Sequence, residues 1–103
     1  MNTITHEELS EKLGAFRGVK NAPSRDGFRT APNQFIIRYA NGTVLQSYDS
    51  LVVAEMDNGQ VFFGSDHDYS VTTSRFVRAF CGYTTTERRK MLENGTATLI
   101  VTE

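Results

Sequence analysis

The sequence predicts an α+β domain: an antiparallel β-meander with a final C-terminal strand and helices packed on one face. Three observations predict it. Between residues 34 and 63, strand-length apolar runs are punctuated by Asn41-Gly42 and Asn58-Gly59, and Asn-Gly is the strongest local signal for a tight hairpin. Thr5-His6-Glu7-Glu8 and Thr84-Thr85-Thr86-Glu87 have the Thr-x-x-Glu form of a capping box, which opens a helix. Ala97-Thr98-Leu99-Ile100-Val101-Thr102 is a β-rich run near the C-terminus. The expected element order is α-β-β-β-β-α-α-β.

In chain order, Leu9, Leu13 and Phe16 fall at i, i+4 and i+7 and give a helix over 5–16, weakened by Gly14. Residues 17–33 hold Gly18, Pro23, Gly27 and Pro32 and read as a long basic loop carrying Arg17, Lys20, Arg25 and Arg29 with Phe28 in its middle. A two-residue turn at Asn41-Gly42 sets Tyr39 opposite Val44, Ile37 opposite Gln46 and Phe35 opposite Tyr48, so Phe35, Ile37, Tyr39, Val44 and Tyr48 share a face. A two-residue turn at Asn58-Gly59 sets Met56 opposite Val61 and Ala54 opposite Phe63. Both faces of this meander are apolar. Helices cover one, and the other calls for the loop or a partner. Thr72 or Thr73 is placed to cap a helix with Phe76, Val77 and Phe80 inward, ended by Gly82. A second helix starts from Thr84, carries Met91 and Leu92, and closes at Asn94-Gly95.

Length and composition bound the function. A chain of 103 residues is one domain, large enough to bury roughly two-thirds of its unfolded surface. The formal net charge of −1 gives no overall field toward nucleic acid. Cys81 is the only cysteine, which excludes an internal disulfide and a cysteine-based zinc site and fits a reducing cytoplasm. No apolar run approaches the length of a membrane span, and no signal-peptide pattern opens the chain. Asn41-Gly42-Thr43 and Asn94-Gly95-Thr96 therefore read as turns, not glycan acceptors.

Asp66, His67 and Asp68 form the one cluster resembling a metal or acid–base site, and Ser70 beside them completes the outline of a hydrolase set. Neighbouring residues of one loop alternate in direction, so capping and solvation explain these side chains better. No catalytic residue, metal or cofactor is assigned. The charges are segregated: residues 1–32 carry five basic and four acidic groups, 33–72 one and five, and 73–103 five and three. Arg75, Arg78, Arg88, Arg89 and Lys90, with Arg17, Lys20, Arg25, Phe28 and Arg29, are the candidate partner-binding residues. They suit a protein partner, with nucleic acid held on a basic helical face as the alternative. The sequence also leaves a homodimer open.

Phe35-Ile36-Ile37-Arg38-Tyr39, then Gly42, then Gln46-Ser47-Tyr48-Asp49-Ser50, and later Asp68-Tyr69-Ser70-Val71-Thr72-Thr73, resemble a small uncharacterised bacteriophage protein family with the pattern F-x-I-x-Y-x-N-G, Q-S-Y-x-S and D-Y-S-x-T-T. The resemblance covers about residues 34–100. Leu45 replaces an aromatic, and His67 stands where that family has tryptophan. The resemblance implies a non-enzymatic phage accessory protein in a bacterial cytoplasm. Such a protein binds and modulates or inhibits a host protein complex, an anti-CRISPR-like inhibitor being one form.

Overall fold

The computed structural model describes residues 1–23 and 30–101. The elements run β1 (Asn2–Thr5), α1 (His6–Leu13), β2 (Phe16–Pro23), β3 (Thr30–Tyr39), β4 (Gly42–Ser47), β5 (Ser50–Met56), β6 (Val61–Gly64), α2 (Val71–Cys81), α3 (Thr85–Glu93) and β7 (Thr98–Val101). All seven strands join one sheet in the order β1-β7-β6-β5-β4-β3-β2. The fold is α+β, as expected, but the element order matches only loosely. β2 to β6 form the antiparallel meander, whereas β6, β7 and β1 pair in parallel. The sheet is mixed because β6 leaves through α2 and α3, and a helical crossover lays the returning strand parallel.

Two apolar clusters sandwich the sheet. Leu45, Val53, Val61 and Phe63 pack with Val77 of α2 and Leu92 of α3. Val44, Ala54, Phe62 and Ile100 pack on the opposite face with Leu9 and Leu13 of α1. Helices on one face is thus corrected to helices on both: the second apolar face is covered by α1, whose two buried leucines each contribute about 1.5–3 kcal/mol.

The long basic loop is corrected as well. Phe16–Pro23 is the edge strand β2, and β3 already begins at Thr30. The helix expected over 5–16 stops at Leu13, capped by Thr5 in the anticipated box with Glu8. Phe16 lies outside it, exposed on β2 and edge-to-face with Tyr39 at 6.2 Å.

Hairpin registers depart in instructive ways. Arg38 pairs with Thr43, Ile37 with Val44 and Phe35 with Gln46, two residues from the expected pairing. Neither Asn41 nor Gly42 takes a positive φ. Asn41 is instead tied to the end of α1: its N–H donates to Leu13 O at 3.0 Å and its Nδ2 to Lys12 O at 3.1 Å. A slide of two leaves the faces unchanged, so Phe35, Ile37 and Val44 still share one. Tyr48 does not join them, because it sits in the β4–β5 turn.

At the next hairpin the loop is Asp57-Asn58-Gly59. The Gly59 N–H donates to Met56 O at 3.0 Å, the Met56 N–H donates to Gln60 O at 2.8 Å, and Gly59 sits at φ 95. This is a type I turn followed by a left-handed residue that only glycine adopts freely. The extra loop residue moves the register by one, so Ala54 faces Phe62 and Met56 joins the α1 side. A bulge at Val52 then places Val52 and Val53 in the same cluster.

Candidate functional site

Sequence reading places the N-cap of α2 at Thr72 or Thr73. Ser70 holds it instead, its Oγ accepting the Thr73 N–H at 3.0 Å. The first turn of α2 therefore starts earlier and opens over the ends of β3, β4 and β5. Between them lies a cavity of about 630 Å³. Gln34, Ser47 and Val52 line its sheet side, Tyr48 and Tyr69 stand beside it, and Asp66 and Thr72 also line it.

Gln34 and Ser47 are cross-strand partners, both buried. Gln34 Nε2 donates to Ser47 Oγ at 2.9 Å, while Gln34 Oε1 has no hydrogen-bond partner among the described residues. A buried acceptor left unpaired costs about 1–3 kcal/mol. The neighbouring backbone is also unusual. Tyr48 sits at φ 54 and Asn33 at φ 65, linked by the Tyr48 N–H donating to Asn33 O at 2.7 Å. Asn tolerates this region, whereas a bulky tyrosine does not. Tyr48 is 63% exposed and Tyr69 81%. Asp66 accepts from Ser50 Oγ at 3.0 Å.

Ser50 and Asp66 also line a second hollow of about 280 Å³, with His6, Asp49, Gly64 and Val101. It lies past the carboxyl ends of β6 and β7 and at the start of α1. In sheets with parallel strands, ligand crevices open at that end where successive connections leave toward opposite faces. Here β6 leads to α2 on one face and β1 leads to α1 on the other. Gly64 is fixed by close approach, since a Cβ there would sit 2.2 Å from Leu51 O.

A different polar site lies beneath the two C-terminal helices. Arg88 is fully buried. Its Nε donates to His67 Nδ1 at 2.9 Å, Nη1 to Tyr83 O at 2.6 Å, and Nη2 to Ser74 Oγ at 2.8 Å and Thr85 Oγ1 at 3.0 Å. No carboxylate touches the guanidinium among the described residues. Burial holds the His67 pKa below its ordinary value, against the opposing pull of Asp68 and with the help of Arg88 and Arg89. A neutral imidazole suits the geometry, because Nδ1 must accept from Arg88. His67 also packs on Phe63 at 5.5 Å.

The expected partner-binding residues that the structure describes sit on β2, α2 and α3. Arg88 is corrected from surface to core: Thr85, Arg88 and Leu92 follow helical spacing on the inward side of α3, a signal already present in the sequence. Arg89 is paired with Asp68 at 2.7 Å, which holds the Asp68 carboxyl below its usual range. Arg75 and Arg78 are exposed on α2 and Lys90 on α3, while Arg17 and Lys20 are exposed on β2. Arg25, Phe28 and Arg29 lie outside the described residues. The hydrolase outline is not assembled: His67 Nδ1 is taken by Arg88, Ser70 caps α2, Asp66 holds Ser50 and Asp68 holds Arg89. Sequence reasoning missed Gln34, Tyr48 and Tyr69 as a group. Their one signal was that Gln46–Ser50 and Asp68–Thr73 carried the resemblance, and these separate segments meet at one cavity.

Residues 20–94 match a family of unknown function (DUF8033), and the chain belongs to that family. The matched span holds the whole cavity and Arg88, and leaves out β1, α1 and β7. Comparison with curated proteins and with solved structures returned no match.

Proposed function

We propose that this chain is a non-enzymatic binding protein that holds a protein partner at the pocketed end of its sheet. Taken with the phage resemblance, the partner is a host bacterial complex that the protein modulates or inhibits, an anti-CRISPR-like inhibitor being one form. The observation that carries the reading is Tyr48. A bulky residue in the left-handed region costs about 1–3 kcal/mol, and such strain concentrates at binding sites. Tyr48 recovers little of this by packing, being 63% exposed. What the strain gains is an aromatic ring presented beside the cavity, with Tyr69 as a second. Tyrosines of this kind anchor protein interfaces. A basic nucleic-acid face is the weaker reading, because Arg88 is withdrawn into the core and Arg89 is engaged by Asp68.

Affinity capture from bacterial lysate with the wild type and Tyr48→Gly tests this. The glycine variant is expected to fold at least as stably and to lose a complex that the wild type retains in stoichiometric amount. Retention of the same complex by the variant sinks the proposal. So does tight DNA or RNA binding whose salt dependence falls when Arg75, Arg78 and Lys90 are replaced.

A further inference from the structure

We infer that the cavity beside Tyr48 and Tyr69 receives a cationic side chain, arginine or lysine, from the protein partner. This rests on the binding reading above and names the chemistry that the site selects.

The cavity presents acceptors. Gln34 is 3% exposed and lines it, and its Oε1, sealed from solvent, has no hydrogen-bond partner among the described residues. Asp66 brings a carboxylate, and Asp49 brings another to the adjoining hollow, which shares Ser50 and Asp66 with it. Among the described residues, no lysine or arginine lines either hollow. The one arginine of residues 33–72, Arg38, is neutralised by Asp57 through bonds of 2.8 and 2.7 Å. Among these residues an anionic ligand would therefore meet carboxylates with no lysine or arginine to offset them. The positive end of α2 opposes a cation, but it amounts to about half a charge, decays within the first turn, and is partly spent on the cap from Ser70 to Thr73. The two tyrosine rings favour a cation through their π faces. A guanidinium adds five donors in a planar fork, which suits a buried amide oxygen beside a carboxylate. The space of about 630 Å³ accommodates such a side chain with its flanking backbone.

A ¹⁵N-resolved NMR titration tests the inference. The probe is N-acetyl-arginine amide. N-acetyl-citrulline amide serves as its neutral isostere, and sodium acetate as the anion. The arginine probe is expected to shift the Gln34 side-chain amide and the backbone amides of Tyr69 and Thr72, with millimolar affinity for a fragment of this size. Citrulline should bind several-fold more weakly. Asp66→Asn should weaken the arginine probe about three-fold, and raised salt should do the same. Gln34→Met, a near-isosteric change, should remove the shifts at Thr72 while leaving the rest of the spectrum folded. Equal binding of citrulline overturns the inference, as does acetate moving these resonances more than arginine, or arginine moving none of them. If the arginine probe fails while Tyr48→Gly still abolishes capture of the partner complex, the cationic ligand is wrong and the binding function stands. If the probe binds but capture survives Tyr48→Gly, the site takes a cation and the partner reading falls.

Discussion

Two buried polar side chains flank α2, and they are treated in opposite ways. Arg88, beneath Ser74, has its donors met by His67, Tyr83, Ser74 and Thr85. Gln34, near Thr73, has one end held by Ser47 and the other unpaired. The first site is closed and fastens four segments: the loop after β6, α2, the α2–α3 connection and α3. The second is open and lies beside strained backbone and exposed aromatics. Polar groups satisfied within the chain hold the fold, while a polar group left over inside a cavity is available to a ligand.

The largest effect should come from breaking the closed site. Arg88→Ala strands the acceptors of His67, Tyr83 and Ser74 and leaves a cavity, with an expected loss of about 3–5 kcal/mol by chemical denaturation. Arg88→Lys should recover only part, because an ammonium cannot reproduce the fork. A loss under about 1 kcal/mol for Arg88→Ala would mean that the knot is incidental.

The same site should respond to pH. His67 is kept neutral in the folded state, with its pKa below the ordinary 6.5, so the unfolded chain binds the proton first as pH falls. Its stabilising contribution is complete above about pH 6.5 and declines progressively below it. Asp68, held low by Arg89, acts only below the usual carboxylate range and does not blur this window. Denaturation midpoints measured from pH 7.5 to 5 should fall for the wild type and stay flatter for His67→Gln. Parallel slopes would remove His67 from the account.

On the open side the signs reverse. Tyr48→Gly should raise stability by about 1 kcal/mol by relieving the left-handed strain, readable as a higher Tm. Gln34→Met should change stability least, by less than about 1 kcal/mol, since losing the Ser47 bond is offset by removing an unpaired acceptor. If Gln34→Met were as damaging as Arg88→Ala, the contrast between the two sites would collapse.

Much of this architecture was legible because its signals are local. Both capping boxes, the stop at Gly82 and the strand-length runs need only neighbouring residues. Register was less legible. Asn58-Gly59 does mark a turn, yet a type I turn plus one left-handed residue differs from a two-residue turn only through which backbone groups pair. Asn41-Gly42 was overridden by hydrogen bonds that Asn41 donates to the end of α1, a tertiary effect. β2 was hidden because an edge strand buries little: of Phe16–Pro23 only Ala22 is buried, so no alternation shows. The candidate site was less legible still. A buried arginine and a buried glutamine look like surface residues until partners from other elements are in place. Only the inward spacing of Arg88 with Leu92 hinted at either.

The parallel pairing of β1 with β7 has a kinetic consequence. Asn2 lies against Thr98 and Ile4 against Ile100, so contacts from opposite ends of the sequence close this edge of the sheet. Such contacts carry the greatest loop-closure entropy and are expected to form after the local hairpins. Thr5 ends β1 and also caps α1, so strand and helix are expected to open as one unit. Their departure would uncover Val44, Ala54 and Phe62. Native-state hydrogen exchange would register this as early exchange at Ile4 and Leu9 against late exchange at Val53 and Phe63. Early exchange there would mark an apolar face that the static structure conceals.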